Sequence, residues 1–213
     1  MTELSTPAHP ARRLAAVDTG LVRSAAVGGL LGGLVLFIVM AGYNAGHGMG
    51  FWSIVNACFA AFVYKNAGMT PMMEGSAGKP MMGHEMMNSP IVASHLAVGS
   101  LLHLLMSATS GIAFVLVLAV LLRIGGRAAA ATLANPVGYV LAGAAGGALL
   151  YVIMMYGVAP ALNDEIVHFT PRVPFFISHL LFGAVATGWV YGMQISHVTR
   201  TAASTSGLRH RPA

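Results

Sequence analysis

The sequence predicts an all-α integral membrane protein: a four-helix bundle made of two parallel two-helix repeats, with an interfacial helix and a long outer loop after the first span. Three observations carry this. Only 8% of the 213 residues are charged while 56% are hydrophobic, and the mean hydropathy is +0.75, far from a soluble domain. Charges are absent between Arg23 and Lys65, Glu85 and Arg123, Arg127 and Asp164, and Arg172 and Arg200. Within these intervals the apolar runs are continuous, without the two-residue alternation of lipid-facing strands, so helices satisfy the backbone in lipid.

The first predicted span covers roughly 22–43, and the others roughly 94–122, 137–158 and 174–196. Each is long enough for a hydrocarbon core of ~30 Å at 1.5 Å per residue. Arg12, Arg13, Arg23, Arg123, Arg127, Arg200, Arg209 and Arg211 fall on one side of the membrane and Lys65, Lys79 and Arg172 on the other. The excess of basic residues assigns residues 1–21 and 197–213 to cytoplasmic tails. The polar leader before the first span is long and no small-x-small site follows cleanly, which argues against a cleaved signal peptide. The net charge of +5 reflects this topology and attraction to anionic headgroups. No basic-aromatic surface implies a nucleic-acid partner.

The first and third spans carry matching glycine strips. Aligning residues 28–40, GGLLGGLVLFIVM, with 142–154, AGAAGGALLYVIM, pairs Gly29 with Gly143, Gly32 with Gly146 and Gly33 with Gly147. Gly29 and Gly33, like Gly143 and Gly147, have the GxxxG spacing that lets another backbone approach. The second and fourth spans both open with proline followed by Ser-His-Leu: Pro90 and Ser94-His95-Leu96, Pro174 and Ser178-His179-Leu180. This register places His95 and His179 at equal depth; a second register, pairing His103 with His179, matches less. A repeat of two helices implies halves related by an axis along the membrane normal.

With GGLLGG and AGAAGG and the openings PIVASHL and PFFISHL, the chain resembles uncharacterised bacterial four-helix membrane proteins that carry a glycine-rich helix and a Ser-His-Leu-opening helix twice. The resemblance covers residues 22–196 and implies a multi-pass protein of the bacterial cytoplasmic membrane with no assigned activity.

Between the first two spans lies FWSIVNACFAAFVYK, residues 51–65. It is too short to cross and return, and Phe51, Trp52, Phe59, Phe62 and Tyr64 suit an interfacial helix. Half of the chain's methionines follow within residues 66–90: Met69, Met72, Met73, Met81, Met82, Met86 and Met87, with His84 among them. Thioether sulfur needs no deprotonation and is a soft donor, so methionines with histidine suit Cu(I). His47 lies on the same side and completes the candidate metal ligands. Flexible methionine also packs well against a partner subunit or the interfacial helix. In the second outer loop, Asp164, Glu165 and His168 offer a weaker set, more plainly read as a solvated helix end.

A second candidate is a haem b held between His95 and His179 through neutral imidazoles; hydrogen bonding of these rings to neighbouring backbone is the plainer alternative. Cys58, the single cysteine, lacks a partner for a disulfide or a zinc spacing and reads as a small apolar residue. No GxSxG, HExxH or phosphate loop occurs, so the sequence predicts no catalytic activity of its own. The expected function is that of a copper-handling or accessory subunit beside other membrane proteins, with haem-based electron transfer or a purely structural role as the alternatives.

Overall fold

A computed structural model describes residues 18–48, 50–63, 93–133, 135–162, 167 and 170–208. Helix α1 spans Thr19–Gly46, α2 Ser53–Val63, α3 Ala93–Thr132 and α4 Pro136–Ile153. A π-helical turn, Met154–Val158, continues α4 into the short α5, Ala159–Leu162, and α6 spans Arg172–Leu208. The chain is thus all-α across the described residues. Four segments, Thr19–Gly46, Leu96–Gly125, Pro136–Leu162 and Arg172–Ser196, are long and apolar enough to cross a membrane.

Local chemistry sets where these helices begin. The Asp18 carboxylate accepts from the Leu21 amide at 2.7 Å, and the Asn135 side chain accepts from the Gly138 amide at 2.7 Å. Each satisfies a donor that the first turn cannot pair, and Pro136 at the start of α4 loses no hydrogen bond there. Once formed, the bundle turns large apolar side chains outward: Leu34, Ile38, Leu101, Leu105, Val117, Leu121, Leu141 and Leu149 are all exposed. A surface of this kind is stable in lipid and unstable in water, which makes the protein a multi-pass membrane protein.

In lipid the helices gain little from hiding apolar groups and associate through close packing. The glycines make that packing possible. A Cβ on Gly28 would stand 2.6 Å from the Ala186 carbonyl oxygen and one on Gly32 2.7 Å from that of Phe182, so this face of α1 lies backbone to backbone on α6. The adjoining face, through Gly29 and Gly33, meets Ser107 and Gly111 of α3. On the far side of α6, Gly143 and Gly147 of α4 meet Gly183, Thr187 and the backbone of His179. The contact order is therefore α3, α1, α6, α4, with α1 and α4 running one way and α3 and α6 the other.

Helices α3 and α4, the two flanks of this row, touch at few points. Near mid-bundle the Phe114 ring occupies the space a side chain at Gly146 would fill. Toward the end with the chain termini, Val115, Leu118, Leu122, Leu133 and Tyr139 close the gap with Val190. Toward the opposite end, where the long loop attaches, it stays open.

The sequence predicts α2 as an interfacial helix. The structure packs it against α3 and α1, with Ser53, Val55 and Phe59 buried. The reason is again a glycine: without a side chain at Gly99, α3 admits the Val55 carbonyl. The Asn44 amide donates to the Ser53 hydroxyl, and Phe37 meets Trp52 at 5.6 Å between ring centroids. Of the predicted aromatic belt, Phe51 is exposed and Phe59 is buried; Phe62 and Tyr64 lie outside the described side chains.

Candidate functional site

The opening between α3 and α4 is a cavity of about 130 Å³ at the long-loop end of the bundle, comparable to voids that accept a benzene-sized ligand. Four structural groups build its walls: Leu36 of α1, Ile54 and Cys58 of α2, His103 and Met106 of α3, and His179 and Phe182 of α6. Met154, Met155 and Val158 of the π turn close the α4 side. Among the described residues, no Asp, Glu, Lys or Arg lines it.

Two imidazoles share this cavity, and the glycine seams set their relative height. Gly32 rests on Phe182 while Gly33 rests on Ser107 and His103. His179 lies three residues outward of Phe182 and His103 four outward of Ser107, so both rings stand at one level on either side of α1. His95 is eight residues further along α3, roughly 12 Å at 1.5 Å per residue. The expectation that His95 and His179 lie at equal depth is therefore corrected: the partner level with His179 is His103. The Ser-His-Leu match aligned two motifs at different distances from the shared packing level: His95 is twelve residues outward of Ser107, whereas His179 is three outward of Phe182. The signal for the correct register was present in His103-Leu104-Leu105-Met106-Ser107-Ala108 against His179-Leu180-Leu181-Phe182-Gly183-Ala184, which agree at four of six positions. The His95 side chain lies outside the described residues.

Hydrogen bonds assign the tautomers. His179 Nδ1 lies 2.8 Å from the Phe175 carbonyl oxygen, and a carbonyl only accepts, so Nδ1 carries the proton and Nε2 keeps its lone pair. His103 Nε2 lies 3.0 Å from the Gly33 carbonyl oxygen and donates to it, tying α3 to α1. His179 is 3% exposed, and the edges of Tyr151 and Phe175 hold its ring at centroid distances of 5.9 and 4.3 Å. It is thereby an imidazole fixed in the tautomer that suits a metal ion or a hydrogen-bond donor.

The π turn contributes sulfur. One additional residue per turn widens the helix locally, and the consecutive residues Met154 and Met155 both reach the cavity, joined by Met106 from α3. Burial pushes the Cys58 thiol up from 9.0 to about 11, so it stays protonated at neutral pH and acts as a weakly polar wall.

The remaining predicted ligands are placed as follows. His47 caps the end of α1, stacked on Tyr43 at 4.0 Å between centroids, with Nδ1 donating to the Tyr43 carbonyl at 2.8 Å; its exposed ring retains a lone pair on Nε2. Met69, Met72, Met73, Met81, Met82, His84, Met86 and Met87 lie outside the described residues, as do Asp164, Glu165 and His168. Among the described residues no three His, Cys, Asp or Glu side chains gather as a metal-binding group. The methionines and tautomer-fixed histidine of the cavity were missed as a group in sequence because they come from three separate helical segments, α3, the π turn and α6. Protein families, characterised proteins and solved structures offer no match to this chain.

Proposed function

We propose that the protein is a non-catalytic, copper-handling subunit of the bacterial cytoplasmic membrane, with both termini in the cytoplasm and residues 66–90 forming an extracytoplasmic Met/His segment that binds Cu(I). The observation that carries this reading is the position of the cavity. Helices α2 and α3, which bracket the Met/His segment in sequence, also form two walls of a chamber lined by imidazole and thioether groups. Soft donors thus occur twice in succession, in the segment and beneath its attachment points. The distribution of arginines supports the orientation. The matched roles of Gly29 and Gly33 against α3 and of Gly143 and Gly147 against α6 support duplication of a two-helix unit. Exposed apolar faces on α3 and α4 leave room for other membrane subunits.

The test replaces Met81, Met82, His84, Met86 and Met87 together with leucine in the full chain and titrates Cu(I) against a competing chelator. Leucine keeps the apolar volume of methionine, so packing tolerates the change while metal binding does not. A variant that loses no Cu(I) equivalent and binds as tightly as wild type sinks the reading. A haem absorption spectrum from the purified protein would replace it with an electron-transfer function.

A further inference from the structure

The cavity offers neutral nitrogen and sulfur donors. His179 presents a lone pair on Nε2 because its Nδ1–H is committed to the Phe175 carbonyl. Met106, Met154 and Met155 bring thioethers to the same space from α3 and the π turn, and Met155 is 1% exposed. None of these groups releases a proton on binding a metal, so loading carries no proton cost. The charge of the ion is limited by the walls. With no carboxylate among the described residues of the lining, a divalent ion would bring two charges those residues do not compensate, whereas a soft monovalent ion brings one and prefers sulfur and imidazole to water. Met154 and Met155, adjacent in the π turn, both line the cavity, and such turns recur at functional sites.

From this geometry we infer that the cavity is an intramembrane Cu(I) site, with His179 Nε2 as its nitrogen ligand and sulfur supplied by Met155 together with Met106 or Met154. The inference deepens the copper reading proposed above: the Met/His segment is then the first of two stations, and the cavity, walled in part by the helices that bracket that segment in sequence, the second. The partner is a soft monovalent cation, and Ag(I), which resists oxidation, serves as its redox-inert counterpart.

The experiment uses the full chain in lipid nanodiscs, titrated with Cu(I) under reducing conditions against a competing chelator. It compares wild type with the five-position leucine segment variant, and with the segment variant further altered by H179Q or M155L. The segment variant is expected to retain one Cu(I) equivalent, with mixed nitrogen and sulfur scattering at the copper absorption edge. H179Q or M155L in that background is expected to weaken this equivalent at least about 10-fold, a loss no smaller than outer-shell substitutions produce. The spectroscopic measurement on the segment variant needs no cavity substitution, so a misfolded H179Q protein does not rescue the idea. If the segment variant binds no copper while wild type does, the cavity site is refuted and the outer segment stands. A retained equivalent without sulfur scattering, or one untouched by both cavity substitutions, also overturns it. Wild type that binds neither Cu(I) nor Ag(I) refutes both readings together.

Discussion

Replacing Gly147 by alanine tests the packing that sets the cavity's shape. A Cβ at this position would lie 2.8 Å from the His179 carbonyl carbon and 3.2 Å from Leu180 Cα, with the His179 oxygen nearer still. These are backbone atoms and cannot turn aside as a side chain would. Restoring ordinary contact at 3.4 Å to the carbonyl carbon alone requires a shift of 0.6 Å, and relief of the oxygen contact requires more. Overpacking of this kind costs about 1–3 kcal/mol. Alanine also recovers about 1 kcal/mol of helix propensity relative to glycine, which obscures a single measurement. Gly42 supplies the reference, because it is helical and a Cβ there meets nothing within 4 Å. Propensity cancels between the two variants, leaving Gly147→Ala less stable than Gly42→Ala by about 1–3 kcal/mol. Reversible unfolding in mixed detergent micelles, with sodium dodecyl sulfate as denaturant, measures the difference. Equal stability of the two variants would show that α4 and α6 are not held backbone to backbone at this level, and the description of the seam would fall with it.

Two further predictions concern other parts of the molecule. Reporters fused after Arg127 or Ala213 should behave as cytoplasmic, and one inserted near Gly78 as external; an external C-terminus would overturn the proposed orientation. Cys58 should react with a water-soluble, thiolate-selective reagent about 100-fold more slowly in the folded protein than in detergent-unfolded chain at pH 8, since its thiol moves from 9.0 to about 11 and only the thiolate attacks. The rate should keep rising beyond pH 9, and an early plateau would contradict the burial of the thiol.

The four spans were legible because each depends on its own composition. A charge-free run long enough to cross lipid does so whatever its neighbours are, and segments 22–43, 94–122, 137–158 and 174–196 each fall largely within one of the four observed apolar helices. The glycine strips at Gly29, Gly33, Gly143 and Gly147 identify faces open to close approach before any partner is known. The partner, the register and the empty space between helices are relations among distant segments, and only the tertiary structure decided them. It set His103, rather than His95, level with His179, because helix height follows from where Gly32 and Gly33 meet α6 and α3, not from where each helix starts. It left α3 and α4 apart at the long-loop end, drew α2 in against Gly99, and turned Met154 and Met155 into the resulting cavity through a π turn. A sequence states which donors a chain possesses; a cavity depends on which surfaces fail to meet, and that is settled only when all the helices compete for the same space.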